Sequence, residues 1–136
     1  MAKVRAGDWG TPEYWQVRIA AYLNGENNPQ HARSSRIAFV ATVDDVVVGL
    51  IAGHLTQRYK CQGELEWISV KPECRGTGVA DELLLRLASW FVSEGARRIC
   101  VDVQPSNEIA RRFYRRHGAE ELRPHWMVWN DIGVVR

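Results

Sequence analysis

The run Arg75-Gly76-Thr77-Gly78-Val79-Ala80 joins a strand-like stretch, Leu65 to Val70, to a long amphipathic helix through a glycine-rich turn. Two glycines remove the Cβ atoms that would block close approach. The first turn of a helix offers N–H groups with no intrahelical partner, together with the positive end of the dipole. The junction therefore has the makings of a pyrophosphate cradle, although a tight strand-to-helix connection that needs glycine for its backbone angles would carry the same sequence. A period of two along the strand puts Glu64, Glu66, Ile68 and Val70 on one face and Leu65, Trp67 and Ser69 on the other. Lys71-Pro72 ends it. The helix carries Ala80, Leu83, Leu84, Leu87, Trp90 and Phe91 on one stripe, with Asp81 and Glu82 in its first turn and Gly95 after its last.

Upstream, Thr11-Pro12 starts a predicted helix through Tyr22, after a short strand near Lys3 to Arg5. The polar stretch Asn24 to Ser35 reads as a loop. Ile37 to Val43 and Val46 to Thr56, parted by Asp44-Asp45, read as a hairpin. Downstream, Ile99, Val101 and Val103 alternate as a strand. Ser106 can cap a helix whose inner face is Ile109, Ala110, Phe113, Tyr114 and His117, and Gly118 stops it. Leu122 and Trp126 to Trp129 supply closing strands. The fold class is α/β (α+β), with a mixed sheet, helices on both faces and a single domain over residues 1–136.

The charge is nearly balanced: 18 Lys and Arg against 16 Asp and Glu, a formal +2. Nothing there calls for nucleic acid or an anionic membrane as partner. The longest strictly apolar runs, such as Leu83-Leu84-Leu85, fall far below the ~20 residues of a membrane helix. Three cysteines, Cys61, Cys74 and Cys100, without C-x-x-C spacing, and an opening with no basic-then-apolar leader, point to a reduced cytoplasmic setting. The four histidines show no metal-binding spacing, so no metal is expected. No G-x-S-x-G elbow and no Gly-Lys-Ser/Thr run is present, which removes the central parts of serine hydrolase and nucleoside triphosphatase chemistry.

Two motifs in order, about thirty residues apart, carry a resemblance. Arg75, Gly78 and Ala80 match Arg/Gln-x-x-Gly-x-Gly/Ala. Asn107, Ala110, Phe113, Tyr114 and Gly118 match Asn-x-x-Ala-x-x-Phe-Tyr followed by Gly. Over roughly residues 64–122 the chain resembles the GNAT family of acetyl-CoA-dependent N-acetyltransferases, and elsewhere the likeness is topological. The resemblance implies a mostly antiparallel sheet whose strand before the cradle splays from its neighbour, so that the main chain of Ile68 and Val70 contacts the pantetheine arm of acetyl-CoA. It implies an oxyanion donor in an N–H near Val70, and N–H groups from Arg75, Gly76, Thr77, Gly78, Val79 and Ala80 around the pyrophosphate. Asn107 would bond the pantetheine amides, with Ala110 in the motif and Phe113 along the cofactor. Tyr114 would be the general acid, since a phenol with pKa near 10 stays protonated at neutral pH and can donate to a leaving thiolate.

Glu64 and Glu66 are both candidates for the base that strips the amine's proton. The resemblance slightly favours Glu64, while solvated carboxylates at a strand edge are the plain alternative. Arg111, Arg112, Arg115 and Arg116 stand at spacings that repel rather than pair: a solvated basic face, or one or two of them near the nucleotide 3′-phosphate. His54 and His125, or Trp9, Trp15 and Trp126, are candidates for the acceptor pocket, and Cys74 reads as structural. The function these features imply is acetyl transfer from acetyl-CoA to a small-molecule or protein amine in a ternary complex, with a homodimer as one assembly. A degenerate acyl-CoA-sensing module is the reading of another class.

Overall fold

The computed structural model describes residues 32–135. The hairpin is built as its sequence predicts: β1 (Ala32–Val43) and β2 (Val46–Thr56) pair antiparallel. Asp44 and Asp45 take φ of 52° and 65°. Two left-handed residues in a two-residue loop match the twist of the strands they join. β1 begins at Ala32, so the stretch expected to remain a loop up to Ser35 is partly strand. The long β2 supplies the reason, for Ala32 finds Thr56 as its partner beyond a register shift. The expected strand near Lys3 and the helix from Thr11 lie outside the described residues.

Next come β3 (Gly63–Val70), α1 (Val79–Ser93), β4 (Ile99–Asp102), α2 (Glu108–Arg116), β5 (Glu120–Arg123) and β6 (Trp126–Trp129). The sheet order is β1-β2-β3-β4-β6-β5, and β3 with β4 is its parallel pair. The apolar stripe of α1 buries Leu83, Leu84, Leu87, Ala88 and Phe91 against Ile51, Leu65, Ile99, Val101, Met127 and Trp129. Tyr114 of α2 joins the same cluster, so both described helices cover one face of the sheet. The expectation of helices on both faces is met on one face by the described residues. No helix among the described residues is long and apolar enough to cross a membrane.

Three local readings change. The ladder between β2 and β3 skips Glu66, pairing Ala52 with Trp67 and Gly53 with Leu65. This bulge reverses the alternation, so Leu65, Ile68 and Val70 all pack toward the α1 core while Glu64 stays opposite. The cap of α2 is Asn107 rather than Ser106: its Oδ1 accepts the Ala110 N–H at 3.1 Å. Ile109 is 79% exposed, because positions 110, 113, 114 and 117 already complete the inward stripe.

Gly63 sits where a Cβ would come within 2.4 Å of Phe91 Cε1 and 2.8 Å of Ile99 Cδ1. Overpacking of this kind costs about 1–3 kcal/mol. Gly63→Ala is therefore expected to lower the thermal midpoint by several degrees, as read by circular dichroism, and an unchanged midpoint would show that the β3–α1 contact yields easily.

Candidate active site

The glycine turn is held open from below. Thr77 Oγ1 donates to the Cys74 carbonyl, and Gly76 and Gly78 take φ of 77° and 88° with nothing within 4 Å of where their Cβ atoms would stand. The helix's first bond, from the Glu82 N–H to the Gly78 carbonyl at 3.0 Å, leaves the N–H groups before it without intrahelical partners. Arg75 departs from the expected set of donors: its own N–H is taken by the Pro72 carbonyl at 3.2 Å, so only its exposed side chain faces the turn.

Beside the turn, β3 loses its parallel partner. Pairing with β4 covers Gly63, Glu64 and Leu65 and then stops, whereas pairing with β2 runs on to Val70. The Lys71 N–H donates to the Val48 carbonyl at 2.8 Å, toward β2. Main-chain groups alternate in direction along a strand, so those of Val70 and Ile68 point the other way, to the edge that no described strand pairs. A groove of about 400 Å³ lies along that edge. It is lined by Ile68, Val70, Arg75, Gly76, Gly78 and Ala80 from the first motif and by Asn107, Ala110, Phe113 and Tyr114 from the second. Such a groove, with open N–H groups at a helix start, glycines whose Cβ positions are empty and a free strand edge, suits a long diphosphate-bearing ligand.

Tyr114 is buried, its ring edge-on to Trp129 at 5.6 Å and to Phe113 at 5.7 Å. Burial, with the charge of Asp102 adding to it, pushes the phenol well above its usual range. The hydroxyl therefore keeps its proton at any ordinary pH.

Glu64 and Glu66 are not solvated edge carboxylates. Glu64 is 5% exposed and receives Arg58 Nε at 3.2 Å. His54 stands between the two acids, Nε2 at 3.6 Å from Glu64 and Nδ1 at 3.8 Å from Glu66. The three bring one ligand atom each to within 4.8 Å, a donor set of the kind metals take, which the sequence spacing of the histidines did not reveal. Each ring nitrogen of His54 thus faces a different carboxylate. Burial raises the Glu66 carboxyl above the ordinary value, with Glu64 and Asp102 adding to the rise and His54 and Arg58 opposing it. Asp102, at the end of β4, is felt by both Glu66 and Tyr114. Sequence reasoning missed Asp102 and Arg58. In the sequence Asp102 is legible only as a polar position between Val101 and Val103 of the alternating strand.

Three of the four arginines of α2 are paired, while Arg112 is exposed. Arg111 and Arg115 both reach Glu121 on β5, and Arg116 bonds Asp81 on α1 at 2.9 Å while its guanidinium lies 5.6 Å from the centre of the Phe113 ring. His117 meets the same Asp81 oxygen at 2.7 Å. Burial alone would raise the Asp81 carboxyl, but the hydrogen bonds from His117 and Arg116 outweigh it and hold the group below its ordinary value. An acid in the first turn of α1 is thereby paired, and the two helices that carry the two motifs are tied together.

The chain belongs to the GNAT acetyltransferase family, whose model matches residues 4–119. It is 37% identical over 86 residues to an uncharacterized N-acetyltransferase of Methanocaldococcus jannaschii, covering 62% of this chain and 53% of that protein. It is 30% identical over 90 residues to an aminoglycoside N(6′)-acetyltransferase of Salmonella typhimurium, covering 62% of each. The chain thus spans less than two thirds of the length of these relatives. Among solved structures, an aminoglycoside N-acetyltransferase in complex with CoA matches with a TM-score of 0.65 and 27% identity, over 82% of this chain and 87% of that one.

Asp81→Asn tests the tie between the helices. A depressed carboxyl contributes stability above its unfolded value of 3.8 and loses it as pH falls through the lower folded value. The variant is expected to melt slightly lower than the parent at neutral pH, by less than about 1 kcal/mol for a pair this exposed. The two melting curves should converge in acid, and a gap that persists below pH 3 would assign the effect to packing instead.

Proposed function

We propose that the chain is a single-domain N-acetyltransferase that moves an acetyl group from acetyl-CoA directly to a primary amine, with a small-molecule amine as acceptor. The convergence of both motifs on one groove along an unpaired strand edge carries this reading. In the groove, acetyl-CoA would supply the activated acyl carbon and a thiolate leaving group. The N–H groups from Gly76 to Ala80 would hold its diphosphate, joined by the Arg75 side chain as a charge-assisted contact. Main-chain groups of Ile68 and Val70 would pair with the arm. The Val70 N–H is the oxyanion donor, an interaction worth on the order of 3 kcal/mol when preorganised. Asn107 spends its Oδ1 on the helix cap, so its amide N–H₂ is the part that faces the arm. Ala110 leaves room beside it and Phe113 supplies an apolar wall.

Tyr114 protonates the departing thiolate, since its hydroxyl still carries a proton when the thiolate forms. Glu66 is favoured as the base over Glu64, to which the resemblance leans. Glu64 is buried and engaged by Arg58, whereas Glu66 is partly open and has a raised pKa that brings it closer to the working pH. Glu66 and Asp102 together favour a cationic acceptor, and the aminoglycoside acetyltransferases among the relatives support a polyamine-like one. No step needs a metal. A cytoplasmic setting and a homodimer complete the reading, and light scattering at working concentration tests the second. A protein amine as acceptor, or a chain that binds acyl-CoA without transfer, are the alternatives.

The test is amine-dependent thiol release from acetyl-CoA across a panel of aminoglycosides, polyamines, amino acids and peptides, with acetyl-CoA binding measured calorimetrically in parallel. Release would establish the transferase, and tight binding with no release from any amine would favour the sensing module. Gly78→Glu should abolish binding, while Gly78→Ala, strained only by φ, should weaken it far less; equal affinities in folded variants would remove the cradle. Tyr114→Phe should lower kcat on the order of 100-fold with acetyl-CoA affinity nearly unchanged. An unaltered rate when chemistry is limiting would end its role as acid.

A further inference from the structure

At the closed end of the β3–β4 seam, on the face away from α1, Cys61 and Cys100 pack together with Val128 under Tyr59, Leu122 and Trp126. Cys100 lies in β4, directly opposite Glu64 in register, and Cys61 sits in the turn that leads into β3. Both thiols are free and buried, yet their surroundings differ. Cys61, 3% exposed, lies on the floor of a surface recess of about 470 Å³ with Thr56, Lys60, Gln62 and Gly95 around it. Its thiol donates to the Tyr59 carbonyl at 3.8 Å, and that carbonyl also accepts Arg98 Nη1 at 2.8 Å, which fixes a guanidinium nearby. Cys100 is fully buried.

We propose that Cys61 and Cys100 form an oxidisable dithiol in which Cys61 is the thiol that peroxide oxidises first and Cys100 the one that resolves it. The Cys61 thiolate attacks one oxygen of a hydroperoxide. The O–O bond breaks, the other oxygen leaves as alkoxide or hydroxide and takes up the thiol's proton, and sulfur becomes a sulfenic acid. The Cys100 sulfur then attacks the Cys61 sulfur. The S–O bond breaks, water leaves with the Cys100 proton, and a disulfide remains, so that two thiols have been oxidised and one peroxide reduced. The electrostatics run in the same direction: the neighbouring Cys100 thiol lowers the Cys61 thiol, with the charge of Arg98 assisting against burial, while the proximity of Cys61 and burial push Cys100 up. The low partner is the better nucleophile and the one the recess reaches. Cys74, half-buried beside the glycine turn, lies outside this pair and serves as an internal reference.

The experiment uses the full reduced chain under native conditions, titrated with hydrogen peroxide, quenched, alkylated after denaturation and mapped by mass spectrometry. Loss of two of the three thiols, a fall in intact mass by two hydrogens, and one peptide pair joined through Cys61 and Cys100 are expected, all reversed by dithiothreitol. In the absence of peroxide, native alkylation should modify Cys61 at least about tenfold faster than Cys100. In Cys100→Ala, Cys61 should stop at the sulfenic acid and be captured by dimedone. The wild-type map decides should that variant fail to fold. Retention of both thiols at peroxide levels that consume Cys74, or a Cys61–Cys100 link that forms only in denaturant, would overturn the proposal.

Discussion

Everything at the site depends on one strand outlasting its neighbour. β3 runs for eight residues and β4 for four, and only three pairs join them. Beyond Leu65 the two halves of the sheet part company, and the layer holding them together is the α1 core rather than the ladder. A buried N–H or carbonyl left without a partner costs about 1–3 kcal/mol. The parted edge is therefore tolerable because it opens on a groove, where water or a bound group can satisfy it. The bulge at Glu66 falls at the fork. It lets the residues beyond it bury their side chains against α1 while the edge stays open, and it leaves both acids beside His54 on the opposite side of the sheet.

Charge is managed in closed local accounts on both sides of the fork. One joins Arg58, Glu64, His54 and Glu66; the other joins Asp81 to Arg116 and His117. In the first the burial of Glu64 would make a lone charge costly, and in the second the shared acid ties α1 to α2. The small formal charge of +2 thus conceals a strongly structured field.

Much of this could be read from the chain. Asp44-Asp45 set the hairpin, the glycine turn and the leucine stripe set α1, and the second motif set α2, because each feature is encoded by residues adjacent along the chain. What escaped depends on register between distant strands. The sequence of β3 alternates so regularly that the bulge is invisible until Gly53 is seen opposite Leu65. His54 faces Glu64 only through that same ladder, and the arginines of α2 find Glu121 and Asp81 only once β5 and α1 lie beside them. Arg75 as a main-chain donor was lost to a tight turn at Pro72 that local composition did not foretell. The capping of α2 was a choice between adjacent polar residues, and Asn107 won because its side chain sits three residues before a free N–H.

The open edge at Ile68 and Val70 also bears on how such a chain can drift over generations. A ligand that adds itself to a strand is held through amides, and amides are common to all residues other than proline on the N–H side. The side chains of these two positions answer to the α1 core instead. Positions that bound a ligand in this way would be free to exchange one apolar residue for another without loss of recognition. Variation there between kindred chains would record the history of the core rather than a change of ligand.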